Sequence, residues 1–172
     1  MFFERFRKKK SARTADRVLH DAAVAQSRVP GLYSDMGAPD SVEGRFELLT
    51  LHIIMLLERL KDEPAIRQSL FDTYVSDLDG ALREMGVGDL SVPKRMKGLG
   101  GVFYGRAKAY DDAFTALPDE TPLRDLIDRT ILQGATGADA SPLAAYIMSS
   151  RQCLAGQPTP AIVAGNLQWG QL

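Results

Sequence analysis

The sequence predicts an all-α fold: a single compact domain of about six or seven helices with a basic N-terminal tail. Three observations predict it. Apolar residues recur at spacings of three and four in each long segment, no segment alternates with period two, and prolines and glycines stand where helices start and stop. A first helix is expected from Thr14 to Gln26, with Val18, Ala22 and Ala25 on one face. Pro30, Gly31, Gly37 and Pro39 mark the loop after it. Asp40 and Glu43 have capping-box spacing and open a second helix. Its stripe of Phe46, Leu49, Ile53, Leu56 and Leu60 is joined by Leu48, Leu51, Ile54, Met55 and Leu57, so burial nearly all round is expected. Pro64 starts a third helix through Ile66, Leu70, Tyr74, Leu78 and Leu82, and Gly86 stops it. Ser91 and Pro93 begin a fourth, carrying Val92, Met96, Leu99, Phe103, Ala107, Tyr110 and Phe114. Thr121-Pro122, Ser141-Pro142 and Thr159-Pro160 start three more, each hydroxyl placed to cap and each proline lacking an N–H that would go unpaired. Gly134 and Gly156 read as stops.

Composition narrows the function classes. With 172 residues, 45 % hydrophobic and 25 % charged, the chain is neither disordered nor a disulfide scaffold. The net charge of −1 excludes a strongly basic nucleic-acid binder. One cysteine, Cys153, forms no internal disulfide and fits a reducing compartment, and two histidines beside that thiol argue against a zinc site or any other metal. The run Leu48 to Leu57 is apolar and uncharged but spans only about 15 Å as a helix, half the hydrocarbon core of a bilayer.

The charge is segregated. In residues 1–13, Arg5, Arg7, Lys8, Lys9, Lys10 and Arg13 face Glu4 alone, which is +5 and leaves −6 for the remainder. Phe2, Phe3 and Phe6 lie among these cations, the composition of a short interfacial segment on an anionic membrane. Each cation near such a surface contributes about 1 kcal/mol, enough for weak, reversible attachment. The chain therefore divides into a basic segment, 1–13, and a helical domain, 14–172.

The segment from Arg83 to Tyr110 departs from plain scaffold. Gly98, Gly100, Gly101 and Gly105 interrupt a helix pattern and together cost about 3–4 kcal/mol of helix propensity. Gly98, Gly101 and Gly105 share one side, a smooth surface that another helix can approach, and the second or third helix of this chain is expected to cover most of it. Lys94, Arg95, Lys97, Arg106 and Lys108 surround it. Arg95 and Arg106, three turns apart, align as one basic patch for phosphates, carboxylates or lipid head groups.

Three blocks, DSVEGRFELLTLH at 40–52, FDTYVSDLDGALREMGVGDLSVPKRMK at 71–97 and FYGRAKAYDDAF at 103–114, together resemble the ubiquinol–cytochrome c chaperone family over roughly residues 28–150. The resemblance implies an all-helical, non-enzymatic chaperone that binds newly made apo-cytochrome b and supports assembly of the cytochrome bc1 complex. It implies a small helical co-chaperone and, for mitochondrial members, docking at the ribosomal tunnel exit. The long targeting extension of mitochondrial members is not seen ahead of the match, so a bacterial protein at the cytoplasmic face of the inner membrane is expected. By position, the family pattern falls on Glu43, Arg45, Phe46 and His52, on Asp89, Lys94, Arg95 and Lys97, and on Phe103, Tyr104, Gly105 and Arg106. A client with many membrane-spanning helices needs an exposed apolar groove with charges at its rim, and Arg95, Gly98, Gly101, Phe103, Tyr104, Gly105 and Arg106 are the expected client-binding set.

No catalytic constellation competes. His52 sits between Leu51 and Ile53 and reads as a hydrogen-bonded core histidine. His20, beside Asp21, is expected to be exposed, and neither histidine lies in a CxxCH haem motif, so no cofactor is expected. Cys153 stands near a helix C-terminus, which disfavours a nucleophilic thiolate. Asp77 with Asp79, and Asp111 with Asp112, point to different sides of a helix. GLGG at 98–101 follows no strand and precedes no GK[ST], so it is a poor phosphate loop. Trp169 is expected to pack on the domain. Two other classes stay open on the residues alone: a helical enzyme or lipid binder with a pocket between the second and fourth helices, converging on His52, and a structural subunit of a membrane complex.

Overall fold

Helix boundaries in the computed structural model fall where proline and glycine place them. The structure describes the backbone of residues 2–135 and 137–172, and side chains from Ala15 onward apart from residue 136. Among these residues there is no strand; the elements are α1 (Phe2–Ser27), α2 (Pro30–Ser34), α3 (Val42–Arg59), α4 (Pro64–Glu84), α5 (Val92–Thr115), α6 (Thr121–Thr130), α7 (Ser141–Gly156) and α8 (Thr159–Val163). The expected second, third and fourth helices are α3, α4 and α5. Two elements differ from expectation. A short helix occupies part of the Pro30–Pro39 loop, and α1 begins at Phe2, well before Thr14. No glycine or proline interrupts residues 2–27, so nothing in the chain stops the helix at Thr14.

The caps also differ in detail. Asp40 and Glu43 do not cap α3; Ser41 does, its Oγ accepting from the Gly44 N–H at 3.0 Å, while Asp40 accepts from Arg45 Nε at 2.6 Å. Thr121 and Ser141 start their helices without a side-chain cap of their own. Each backbone N–H instead donates to an aspartate two residues earlier, Asp119 and Asp139, both at 2.9 Å. Hydrogen bonding to the side chain and backbone of Ser141 holds the Asp139 carboxyl below its ordinary range, and hydrogen bonding to the backbone and side chain of Thr121 does the same for Asp119.

α3 is the axis of the core. Leu51 through Leu57 are all buried, and α1, α4 and α7 pack around it. Along the α1–α4 seam, buried Asp16 accepts from Ser69 Oγ at 2.6 Å and Thr73 Oγ1 at 3.0 Å. One turn further, His20 enters the same seam. It is 2 % exposed, contrary to the expectation of an exposed residue, with ring nitrogens 3.7 Å from Asp21 and 3.6 Å from Asp77. Its spacing of four from Asp16 puts it on the face that α4 covers.

Arg59, at the end of α3, closes the other end of the bundle. Its Nε donates to Leu154 O at 2.8 Å, and one terminal nitrogen donates to Gln157 O at 2.7 Å and Thr159 Oγ1 at 3.0 Å. One guanidinium thereby satisfies the last carbonyls of α7 and the start of α8. Beyond α8 the chain returns over α7: Gln157 holds both the N–H and the carbonyl of Gln168, and the Gly170 N–H donates to Ser150 Oγ at 3.0 Å.

Candidate functional site

The residues expected to form one client-binding set divide between two sides of α5. At 3.6 residues per turn, Tyr104 and Arg106 project about 160° apart. Phe103 and Tyr104 turn toward α4, where Phe103 stacks near Phe71 (ring centroids 5.1 Å) and Tyr74 (5.4 Å), and Tyr104 lies 5.9 Å from Phe71. Together with Ile54, Leu57, Ala107 and Phe114 they line an open groove of about 530 Å³ between α3, α4 and α5. A smaller depression of about 280 Å³, reaching Pro64 and Phe71, adjoins it through Leu57, Arg67, Phe103 and Tyr104. Phe103 is buried, and Tyr104 is 65 % exposed. Lys61, Arg67, Lys108, Glu58 and Asp111 supply charge of both signs at the rim.

Arg106 is committed elsewhere. Its Nε and one terminal nitrogen donate to the two carboxylate oxygens of Glu47 on α3 at 2.8 and 2.7 Å. The carboxylate strengthens the hold of Arg106 on its proton, against some burial. Arg95 lies on the same side of α5, as its spacing predicts, but it is exposed and joins no ion pair among the described residues. The expected pair of free guanidiniums is therefore a single free one, because a nine-tenths-buried carboxylate requires a partner. Arg106→Met is expected to cost about 2–3 kcal/mol by leaving Glu47 unpaired, and Arg95→Met less than about 0.5 kcal/mol, both read by urea denaturation.

The glycines correct a second expectation. Among the described residues no helix covers them: a Cβ built on Gly98, Gly100, Gly101 or Gly105 meets nothing within 4 Å. Gly98, Gly101 and Gly105 face solvent on the side of α5 away from Phe103 and Tyr110.

The remaining family positions are structural in this setting or lie at the surface. Arg45 pairs with Asp40, Asp89 pairs with Arg83, Phe46 is half-buried, and Glu43, Lys94 and Lys97 are exposed. His52 is fully buried. Because a carbonyl only accepts, Nδ1–H donates to Leu48 O at 2.7 Å, which leaves Nε2 to accept from the Tyr146 hydroxyl at 2.7 Å; that oxygen accepts from Gln26 at 3.0 Å. Trp169 packs edge-on against the ring at 4.9 Å, and burial lowers its pKa to about 4. The imidazole has no polar atom left for a ligand, which removes the point on which the pocket reading converged. Phe2, Phe3, Arg5, Phe6, Arg7 and Lys8–Lys10 lie outside the residues whose side chains are described.

Sequence reasoning missed Glu47, Leu57 and Phe71. Glu47, an acid inside an apolar helix, was the one visible signal of a tertiary ion pair. A second cleft, about 1050 Å³, opens beyond Glu58 between α3, α7 and the α5–α6 loop. It meets the aromatic groove at Glu58, Lys61 and Asp111, where Arg151 binds Glu58 and stacks 3.6 Å over Phe114. No helix among the described residues is long and apolar enough to cross a membrane.

Residues 34–169 match the family described as Ubiquinol-cytochrome C chaperone. The crystal structure of the Cbp3 homolog from Brucella abortus superposes with a TM-score of 0.85 at 35 % identity, covering 99 % of this chain and 97 % of that one. No curated protein matches the chain. The match begins later than the expected residue 28 and runs past 150 to Trp169, so it takes in the segment that packs on His52. A match over most of the sequence and a shared fold over nearly all of it place this chain in the ubiquinol–cytochrome c chaperone family.

Proposed function

We propose that this protein is a non-enzymatic assembly chaperone that holds newly synthesised cytochrome b and promotes biogenesis of the cytochrome bc1 complex. The observation that carries the reading is the open aromatic groove between α3, α4 and α5, bordered by Tyr104, Phe71 and Leu57. A membrane-protein client offers apolar helix faces before assembly, and its loops carry charge. An apolar floor with mixed charges at the rim accommodates both. The protein acts peripherally at the cytoplasmic face of a bacterial inner membrane, where that client emerges, and a small helical co-chaperone is a further partner in this reading.

Deleting the gene is expected to lower spectroscopic cytochrome b and assembled bc1 complex together; normal levels of both would refute the proposal. Tyr104→Asp, at an exposed position, is expected to leave the fold intact and to weaken capture of apo-cytochrome b by tenfold or more. Unchanged capture would move the client away from this groove. Stoichiometric retention of the protein in the mature complex would favour a structural subunit instead.

A further inference from the structure

Six large apolar side chains are markedly exposed among the described residues, and four of them fall between Met85 and Tyr104. Met85 is 58 % exposed and Leu90, on the turn between α4 and α5, 99 %. This turn is held in place. Arg83 binds Asp79 within α4 at 2.7 Å and also binds Asp89, the residue before Leu90. Leu90 therefore projects from an anchored base.

The surface that follows is cationic and smooth. From Ser91 to Tyr110 there is no carboxylate, and Lys94, Arg95 and Lys97 form no ion pair among the described residues. On the helical wheel Lys94, Lys97, Gly101, Gly105 and Lys108 fall within about 80° of one another. The glycines between the lysines leave that face without side-chain relief, since nothing stands within 4 Å of their added Cβ positions. A protein partner would bury a protruding leucine in a pocket and pair the cations individually. A bilayer interface takes a protruding apolar tip below a flat layer of cations with no matching relief.

We propose that the α4–α5 turn and the outer face of α5 form a docking surface for an anionic lipid bilayer, with Leu90 and Met85 entering the interface and Lys94 and Lys97 meeting lipid phosphates. This surface is distinct from the basic N-terminal segment and adjoins the aromatic groove at Lys108. It rests on the reading of a membrane-peripheral protein, and its test uses no client, so its failure is distinguishable from failure of the chaperone assignment.

The test uses the full chain with Cys153→Ser and Leu90→Cys carrying an environment-sensitive NBD label. Vesicles of phosphatidylcholine with 30 % phosphatidylglycerol, a composition on the order of natural anionic membranes, serve as the probe. The expected result is a blue-shifted, brighter emission on these vesicles and none on pure phosphatidylcholine. In the unlabelled chain, Lys94→Glu with Lys97→Glu is expected to reduce vesicle partitioning by about thirtyfold, and Leu90→Ser by about tenfold. Binding to vesicles with an unchanged label spectrum would overturn the proposal, as would absence of binding. Charge reversal that leaves vesicle partitioning intact would overturn it too.

Discussion

Gly44→Ala is expected to destabilise the domain by about 3 kcal/mol, although alanine favours helices. A Cβ on Gly44 would stand 2.0 Å from the carbonyl oxygen of Pro39 and 3.1 Å from its carbonyl carbon. The obstacle is backbone, so no rotamer change relieves it. Residues 39–41 must move instead, and that movement pulls Ser41 away from the Gly44 N–H that it caps. The cap alone accounts for about 1 kcal/mol and the overpacking for the rest. Gly98→Ala supplies the contrast: its Cβ meets open space, so α5 is expected to gain up to about 1 kcal/mol. Urea denaturation followed by far-UV circular dichroism measures both. An unchanged midpoint for Gly44→Ala would mean that the approach of Pro39 is not as close as described.

The second large effect is on the pH dependence of stability. Burial lowers the His52 pKa from 6.5 to about 4, so between those values the unfolded chain takes up a proton that the folded chain refuses. Stability is full above pH 6.5 and falls as the pH drops toward 4, by about 3 kcal/mol over that window. The cause is desolvation: the imidazolium would sit fully buried without the hydration it has in the unfolded chain. Asp119 and Asp139 act in a separate window. Their lowered pKa values give stability that is present above 3.8 and lost below it. In His52→Gln the loss between pH 6.5 and 4 should largely vanish, whatever the neutral-pH stability of that variant. A wild-type-like profile in His52→Gln would assign the acid sensitivity to other groups.

Most of the fold was legible because proline and glycine act locally. Pro64, Pro93, Pro122, Pro142 and Pro160 open helices as expected, and Gly86, at φ 81°, ends one. The capping groups were less legible, since several acceptors are geometrically eligible in Asp-x-Thr-Pro and Asp-x-Ser-Pro and the aspartate reaches the N–H first. Tertiary pairing left a single trace, the acid Glu47 inside an apolar helix. Arg106 reads like Arg95 by spacing, and only the position of Glu47 on another helix separates a bound guanidinium from a free one. His20 is similar: one neighbour in sequence is an aspartate, yet α4 covers it. The groove became visible only in three dimensions because Leu57, Phe71 and Tyr104 come from three helices.

The chain contains a single tryptophan, and it rests edge-on against His52. Its fluorescence is therefore a gauge of one seam, the place where the returning C-terminal strand of chain meets the core, rather than of the molecule as a whole. If emission and far-UV signal change at the same urea concentration, strap and bundle are one cooperative unit. If emission changes first, the strap opens as a separate, weaker unit and exposes His52 while the helices remain folded.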